Sequence, residues 1–268
     1  MIYFSSLINN PEYRSAADRI SSALKAENIA FSYIENTKDI WLRDFMPVKT
    51  KSGKYVSFRY EPCYLEESKN LRTNYRDIET QIPIKVTYSD INLDGGNVVF
   101  SPSKEKVIIS DRVFSENPDR QEDELIAELE KLLEAQVIII HSLTVDYDMT
   151  GHADGMVRFV DENTVIGNDT GTKTGLEYRI KKALGKENIT VIDFPYFESK
   201  KGSARGCYLN FLETENCIFL PVFAAPDDRR AIVAAKRIFN KRIIPVEINE
   251  IAADGGCLNC ISWETFGP

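Results

Sequence analysis

One pattern recurs along this chain at intervals of about 50 residues: a hairpin of two short strands, a helix, then another strand. The first hairpin runs from Pro47 to Tyr60 and turns at Lys51-Ser52-Gly53-Lys54; a helix is predicted over 65–79 and a strand over 84–88. The second hairpin covers 97–110. Its helix, 121–134, carries Leu125, Leu129, Leu132 and Leu133 on one stripe and leads to the apolar run Val137-Ile138-Ile139-Ile140. The third unit has a hairpin over 157–168, a helix over 175–184 and a strand over 189–194. The fourth has a hairpin over 207–220, a helix over 228–239 and a strand over 243–246. A fifth unit is split, with a strand over 258–263 at one end of the chain and strand 2–4, helix 13–26 and strand 30–34 at the other. Pairing of the two ends completes it. Units that bury their faces against their neighbours close into an array. The expected fold is therefore α/β: a five-bladed α/β propeller of pseudo-fivefold ββαβ-like repeats, its ring closed by the N- and C-terminal strands. Residues 1–268 form a single domain in this reading. A plain α+β domain is the alternative.

The chemically unusual residues fall at equivalent points, just before each hairpin. They are Asp44 in Trp41-Leu42-Arg43-Asp44, Asp94 in Asp94-Gly95-Gly96-Asn97, and His152 with Asp154 in Gly151-His152-Ala153-Asp154-Gly155. The fourth and fifth units contribute Gly206-Cys207-Tyr208-Leu209-Asn210 and Asp254-Gly255-Gly256-Cys257-Leu258-Asn259-Cys260. In a ring, equivalent points converge on the axis, so Asp44, His152, Asp154 and Cys260 are expected to meet. If the loop at 152–154 is extended, His152 and Asp154 project to the same side. The glycine pairs are expected to let backbone approach a ligand closely. Each residue also has an ordinary reading: a surface Asp44, a buried apolar Cys260, a capping Asp154.

A thiol, an imidazole and two carboxylates suit covalent catalysis by a thiolate. One carboxylate would suffice to orient the histidine of a triad. Two form a clamp for a guanidinium, which is planar, cationic and presents a fork of N–H donors. A bound guanidinium would favour the thiolate, which could attack the guanidinium carbon while His152 moves the protons. Cys257-x-x-Cys260 is also half of a zinc or redox motif, but no second closely spaced pair accompanies it. His141, the other of the two histidines, ends an apolar run and reads as a strand-end residue.

Composition narrows the partners. A net charge of -8 argues against nucleic acid and anionic membranes and is compatible with a cationic ligand. No run approaches the roughly 18 apolar residues of a membrane span, and the first residues do not read as a signal peptide. Five scattered cysteines argue against a disulfide framework and for a reducing compartment, so a cytoplasmic location is expected. A homo-oligomer is left open.

The segments Trp41-Leu42-Arg43-Asp44-Phe45-Met46-Pro47, Gly95-Gly96-Asn97, Gly151-His152-Ala153-Asp154, Tyr208-Leu209-Asn210-Phe211 and Gly255-Gly256-x-x-x-Cys260 occur in this order. Together they resemble the agmatine deiminase and bacterial-type peptidylarginine deiminase family of the guanidine-modifying pentein superfamily. That resemblance implies Cys260 as nucleophile, His152 as acid and base, and Asp44 and Asp154 as guanidinium ligands. It implies Trp41 as a pocket wall, Asn210 as a supporting amide, and neither cofactor nor metal. The implied activity is hydrolysis of a guanidino group to a ureido group and ammonia, with agmatine giving N-carbamoylputrescine, a step of polyamine biosynthesis. A free or peptidyl arginine deiminase, an amidinotransferase using the same intermediate, and a non-catalytic binding member are the alternatives. The chain is shorter than usual agmatine deiminases. Asn259 stands where many members carry histidine, and 57–62 departs from the agmatine pattern. Within that stretch Arg59 is a candidate for a substrate carboxylate, or an ordinary surface arginine.

Overall fold

The computed structural model describes residues 1–142, 148–171 and 175–265. Among these, five three-stranded sheets form, each built in the same order. Val48–Lys49 pairs antiparallel with Tyr55–Arg59, which pairs parallel with Val86–Asn92. Val99–Phe100, Lys106–Ser110 and Gln136–Ile140 repeat this, as do Val157–Asp161, Thr164–Asp169 and Thr190–Pro195. Leu212–Glu213, Cys217–Val222 and Arg242–Glu247 form the fourth sheet. The fifth joins the chain ends: Ser262–Glu264 runs antiparallel to Ile2–Ser5, with Ile2 opposite Glu264, and Ile2–Ser5 runs parallel to Phe31–Ile34.

The middle strand is enclosed on both faces in several of these sheets. Cys217–Val222 is buried over its first five residues and Lys106–Ser110 over its last four. Both are accordingly continuous apolar runs rather than alternating ones. Helix Glu122–Leu133 packs Leu125, Leu129 and Leu133, spaced four apart, into one apolar cluster. Its first turn holds Glu122, Asp123 and Glu124 and its last turn Lys131, the polarity that the helix dipole favours. Helices Arg14–Ala26, Leu176–Lys186 and Asp228–Ile238 bury equivalent stripes. No helix among the described residues is long and apolar enough to cross a membrane.

Three expectations need correction. The helix predicted over 65–79 is a series of 3-10 turns, Cys63–Leu71, Tyr75–Asp77 and Glu79–Gln81. Leu65 and Ser68 leave helical dihedrals, and the Asn74 side chain accepts from Arg76 N. Short polar side chains compete for backbone groups in this way, and the run Ser68-Lys69-Asn70-Leu71-Arg72-Thr73-Asn74 offers no apolar stripe to outweigh them. The following strand lies later, at Val86–Asn92. The strand predicted over 258–263 is confined to Ser262–Glu264. Ahead of it the chain turns, with Ile261 N donating to Cys257 O and Ser262 Oγ to Leu258 O at 2.7 Å. Cys260 is thereby on a turn.

Candidate active site

Five connecting segments deliver the site. Asp44 lies in the one-turn helix Leu42–Phe45, entered from Trp41, whose N–H donates to Asp39 Oδ1 at 3.0 Å. Asp94 precedes the 3-10 turn Gly95–Asn97. His152 precedes the 3-10 turn Ala153–Gly155, which contains Asp154. The extended loop expected at 152–154 is thus a turn, and it still brings both side chains to one place. Asn210 and Cys260 come from the turns leading into the fourth and fifth sheets.

The side chains converge as the spacing of the repeat predicts. His152 Nε2 is 2.8 Å from Asp94 Oδ2, and its Nδ1 is 3.5 Å from Asp44 Oδ1. Cys260 Sγ is 3.6 Å from Asp154 Oδ2 and 3.3 Å from Asn210 Oδ1. Asn210 also accepts from Cys260 N at 3.4 Å and donates to Asp154 O at 3.3 Å. Asn259 Nδ2 donates to Asp154 Oδ2 at 2.7 Å while its Oδ1 accepts from Arg158 at 2.9 Å. Those two hydrogen bonds fix which Asp154 oxygen lies beside the sulfur. Asp44, Asp94, His152, Asp154, Asn210 and Asn259 are buried, and Cys260 is partly exposed.

The glycine pairs serve the site differently from expectation. A Cβ on Gly96 would lie 2.5 Å from Asp44 Oδ1 and 2.6 Å from His152 Nδ1, and one on Gly256 would lie 2.2 Å from the Trp41 ring. The close approach is to the protein's own Asp44, His152 and Trp41 side chains. Gly96 N also donates to Asp44 Oδ1 at 3.2 Å. Trp41 accordingly packs on the Gly256 backbone, four residues before Cys260.

The cluster is strongly acidic. Burial raises the Asp44 pKa well above the usual carboxylate value; the His152 charge opposes this, and Asp94, Asp154 and Asp39 add to it. Burial, opposed by the Trp41 N–H and assisted by Asp94, pushes Asp39 up to about 7. For His152, burial disfavours the charge, but Asp44, the hydrogen bond to Asp94, and Asp154 outweigh it and raise its pKa to about 10. The imidazole is therefore an imidazolium at neutral pH. Burial first, then Asp154 and Asp44, holds the Cys260 thiol well above its ordinary value. A cation placed between these carboxylates would reverse that push on the thiol.

Two other expectations take shape here. Arg59 lies on strand Tyr55–Arg59 with its guanidinium half-exposed, 3.9 Å from Glu61, and it makes no hydrogen bond to the cluster. Cys257 is buried, its sulfur 3.5 Å from Ala204 O. Among the described residues no group of three or more His, Cys, Asp or Glu is arranged to hold a metal. Four participants escape the sequence reading as site residues: Asp39, Tyr64, Asp94 and Asn259. Asp94 had a signal, since it holds the repeat-equivalent position 58 residues before His152. Tyr64, whose phenol donates to Asp94 Oδ2 at 2.8 Å, had none.

Comparison with known proteins bears on the fold and the family. The C. jejuni agmatine deiminase structure superposes with a TM-score of 0.75 at 18% identity, covering 100% of this chain and 93% of that one. Agmatine deiminase of Enterococcus faecalis gives 0.73 at 15% identity, over 98% and 92%. The DDAH of Pseudomonas aeruginosa gives 0.62 at 14%, over 97% of each chain. These likenesses establish a shared α/β fold. No protein of curated function matches by sequence. The model of Porphyromonas-type peptidyl-arginine deiminases, by contrast, matches residues 6–265, nearly the whole chain. The chain therefore belongs to the Porphyromonas-type peptidyl-arginine deiminase family, hydrolases acting on C–N bonds.

Proposed function

We propose that this protein is a guanidine deiminase whose substrate is agmatine, acting through a covalent thiouronium on Cys260. We place the five sheets as the blades of one α/β propeller spanning residues 1–268, with the site on its axis. The observation that carries the reading is the charge balance around Cys260. Asp44, Asp94 and Asp154 share one buried neighbourhood with the imidazolium of His152; the partly exposed Asp39 adjoins them, and Arg43 beside Asp154 is already paired with Glu264. Such a site is short of positive charge, and a guanidinium supplies it in a planar, N–H-rich form.

Asp154 and Asp44 grip the guanidinium. Its charge favours the Cys260 thiolate, whose proton leaves to solvent. The sulfur adds to the guanidinium carbon. His152 gives its proton to the departing nitrogen, the C–N bond breaks, and ammonia leaves a thiouronium. Neutral His152 then takes a proton from water. The hydroxide adds to the same carbon, the C–S bond breaks, the oxygen loses its proton as C=O forms, and the thiolate is restored. Net, guanidinium and water give a ureido group and ammonium. Asn210, bonded to Cys260 N and beside its sulfur, holds the nucleophile against Asp154.

The choice of agmatine rests on Asp39 and on the rim. Asp39 lies next to Trp41, and Asp254 accepts from Tyr13 at 2.7 Å near it. An acidic approach suits a second cation at the far end of the substrate and opposes an arginine carboxylate. Arg59, turned to Glu61, offers no counterweight.

The test is release of ammonia and ureido product from agmatine, free arginine and a peptide with C-terminal arginine. Agmatine is expected to be turned over with the highest kcat/KM, without any added amine, and with no product from Cys260→Ala. Intact-mass spectrometry of a quenched reaction is expected to show the adduct on wild type alone. Preference for either arginine substrate would replace the agmatine assignment. A requirement for an amine acceptor would make the protein an amidinotransferase, and turnover by Cys260→Ala would end the covalent mechanism.

A further inference from the structure

The segment of 3-10 turns that replaces the predicted helix brings Tyr64 into the site. Its backbone is clamped by polar groups. Glu61 N donates to Asn92 Oδ1 and Asn92 Nδ2 donates back to Glu61 O, both at 2.9 Å. Cys63 N donates to the Glu116 carboxylate, at 3.0 and 3.2 Å. The buried Arg112 bonds Glu116 at 3.3 Å, the Cys63 sulfur at 2.9 Å and Met149 O at 3.1 Å. One guanidinium thus ties the segment carrying Tyr64 to the loop that runs into His152. At the end of this clamp, Tyr64 Oη donates to Asp94 Oδ2 at 2.8 Å, the oxygen that His152 Nε2 also contacts at 2.8 Å. The Tyr64 and His152 rings stand edge to face, with centroids 6.2 Å apart.

We propose that Tyr64 is a positioning residue for His152: by sharing Asp94 Oδ2 with the imidazole, its phenol fixes the ring with Nδ1 toward Asp44 and loosens the grip of Asp94 on the imidazole proton. A carboxylate oxygen that serves two donors spreads its charge over both. Without the phenol, that charge falls on the imidazolium alone and holds its proton more tightly. The groups facing His152 are the carboxylates of Asp44, Asp94 and Asp154, and the Tyr64 phenol. Asp39 acts through Asp44 and Asp94, Tyr60 adjoins Asp44 and Asp94 and is hydrogen-bonded to the Tyr64 phenol, and Cys260 and Arg43 adjoin Asp154. Burial, then Asp94, raises the Tyr64 pKa well above 10, so the phenol keeps its donor proton throughout the working range.

This rests on the proton-transfer role proposed for His152, but its first readout needs no turnover. The chain has two histidines, so 15N imidazole resonances of the substrate-free protein can be followed directly, with His141→Gln assigning them. Tyr64→Phe is expected to move the His152 titration midpoint up by roughly half to one pH unit, part of what a hydrogen bond to a charged group carries. In an Asp94→Asn background the same substitution is expected to move nothing, because the effect runs through Asp94. With agmatine, kcat is expected to fall about 3- to 10-fold with KM within about twofold, and the falling pH limb, where the imidazolium proton is lost, to shift in the same direction. An unmoved midpoint in folded Tyr64→Phe, or the same shift without Asp94, overturns the proposal. Absence of turnover in wild type would overturn the deiminase reading and leave the titration to decide the role of Tyr64.

Discussion

Arg43 and Asp44 are neighbours in one helical turn, both close to Cys260, and their surroundings are opposite. Arg43 is met in full. Its Nη2 is 2.5 Å from Glu264 Oε2, its Nε donates to Asn259 O at 3.3 Å, and its backbone N donates to Cys260 O. Burial opposes the Glu264 charge, but Arg43 outweighs it and holds that carboxyl below its usual pKa. A cavity of about 80 Å³ on this side is lined by Arg43, Lys104, Trp263 and Glu264, with none of Cys260, His152 or Asp154. Asp44 accepts from Gly96 N and otherwise faces His152 and three more carboxylates. A charge met within the protein supports the turn that carries Cys260. A charge surplus left beside Cys260 would be relieved by a visitor of opposite sign. The contrast sets the paired side of the turn apart from the side where the proposed substrate would bind.

The sharpest way to break that contrast is to remove one charge from each side. Asp154→Asn and Asp44→Asn are expected to lower kcat/KM for agmatine by roughly 10²–10³-fold, the cost of losing one electrostatic partner of a reacting group. Their unfolding midpoints should hold or rise, because a like charge is removed from a buried acidic cluster. Arg43→Met should do the reverse to stability. It leaves the partly exposed Glu264 without its partner and is expected to cost about 1–3 kcal/mol in urea unfolding. If Asp44→Asn unfolds the protein as readily as Arg43→Met does, the surplus is structural and the distinction fails.

The pH dependence of stability sharpens the same comparison at smaller scale. Asp39 has a folded pKa near 7, above its ordinary 3.8, so folding is favoured while it stays protonated. Its contribution falls away as pH rises from about 4 to about 7. His152 has a folded pKa near 10, above 6.5, so its contribution is whole below about 6.5 and lost as pH rises to about 10. Glu264 behaves oppositely. Its folded pKa is depressed, so its contribution is present above its ordinary 4.5 and is lost as pH falls through the folded value. Thermal midpoints recorded from pH 4 to 10 should therefore decline less steeply between 4 and 7 in Asp39→Asn, with Asp44, also raised, sustaining the rest. Glu264→Gln should keep that decline. A wild-type profile flat from 4 to 7 would remove the charge argument for Asp39 as the rim's cation receptor.

What could be read from the sequence divides along similar lines. Strand and helix identity was legible wherever one face had to be apolar, as at Leu125, Leu129 and Leu133 or Val137-Ile138-Ile139-Ile140. The convergence of Asp44, His152, Asp154 and Cys260 was legible because a repeat makes distant positions equivalent. Tyr64 was not, because the chain that carries it follows no period. Its place is set by the clamp of Asn92, Arg112 and Glu116, long-range polar contacts with no local signature. Asp94 was half-legible: its position stood out, but its partnership with His152 depends on ring orientation. The glycines misled by direction only. A close approach was required, and what approaches Gly96 and Gly256 is Asp44, His152 and Trp41.

The smallest expected effect concerns Arg59, the cation that the sequence left open as a receptor for a substrate carboxylate. Its guanidinium is half-exposed, and 3.9 Å to Glu61 is a loose surface pair. Such pairs contribute about 0–1 kcal/mol and are screened by salt. Arg59→Ala is therefore expected to change kcat/KM for agmatine by less than about twofold and to leave the unfolding midpoint nearly unmoved. The informative measurement is the same substitution with a C-terminal-arginine peptide. A loss confined to the peptide would mean that Arg59 swings from Glu61 to meet a carboxylate, so that a surface side chain supplies positive charge for the substrate. Equal, small effects on both substrates would leave Arg59 as an ordinary surface arginine and the preference for agmatine to Asp39 and Asp254.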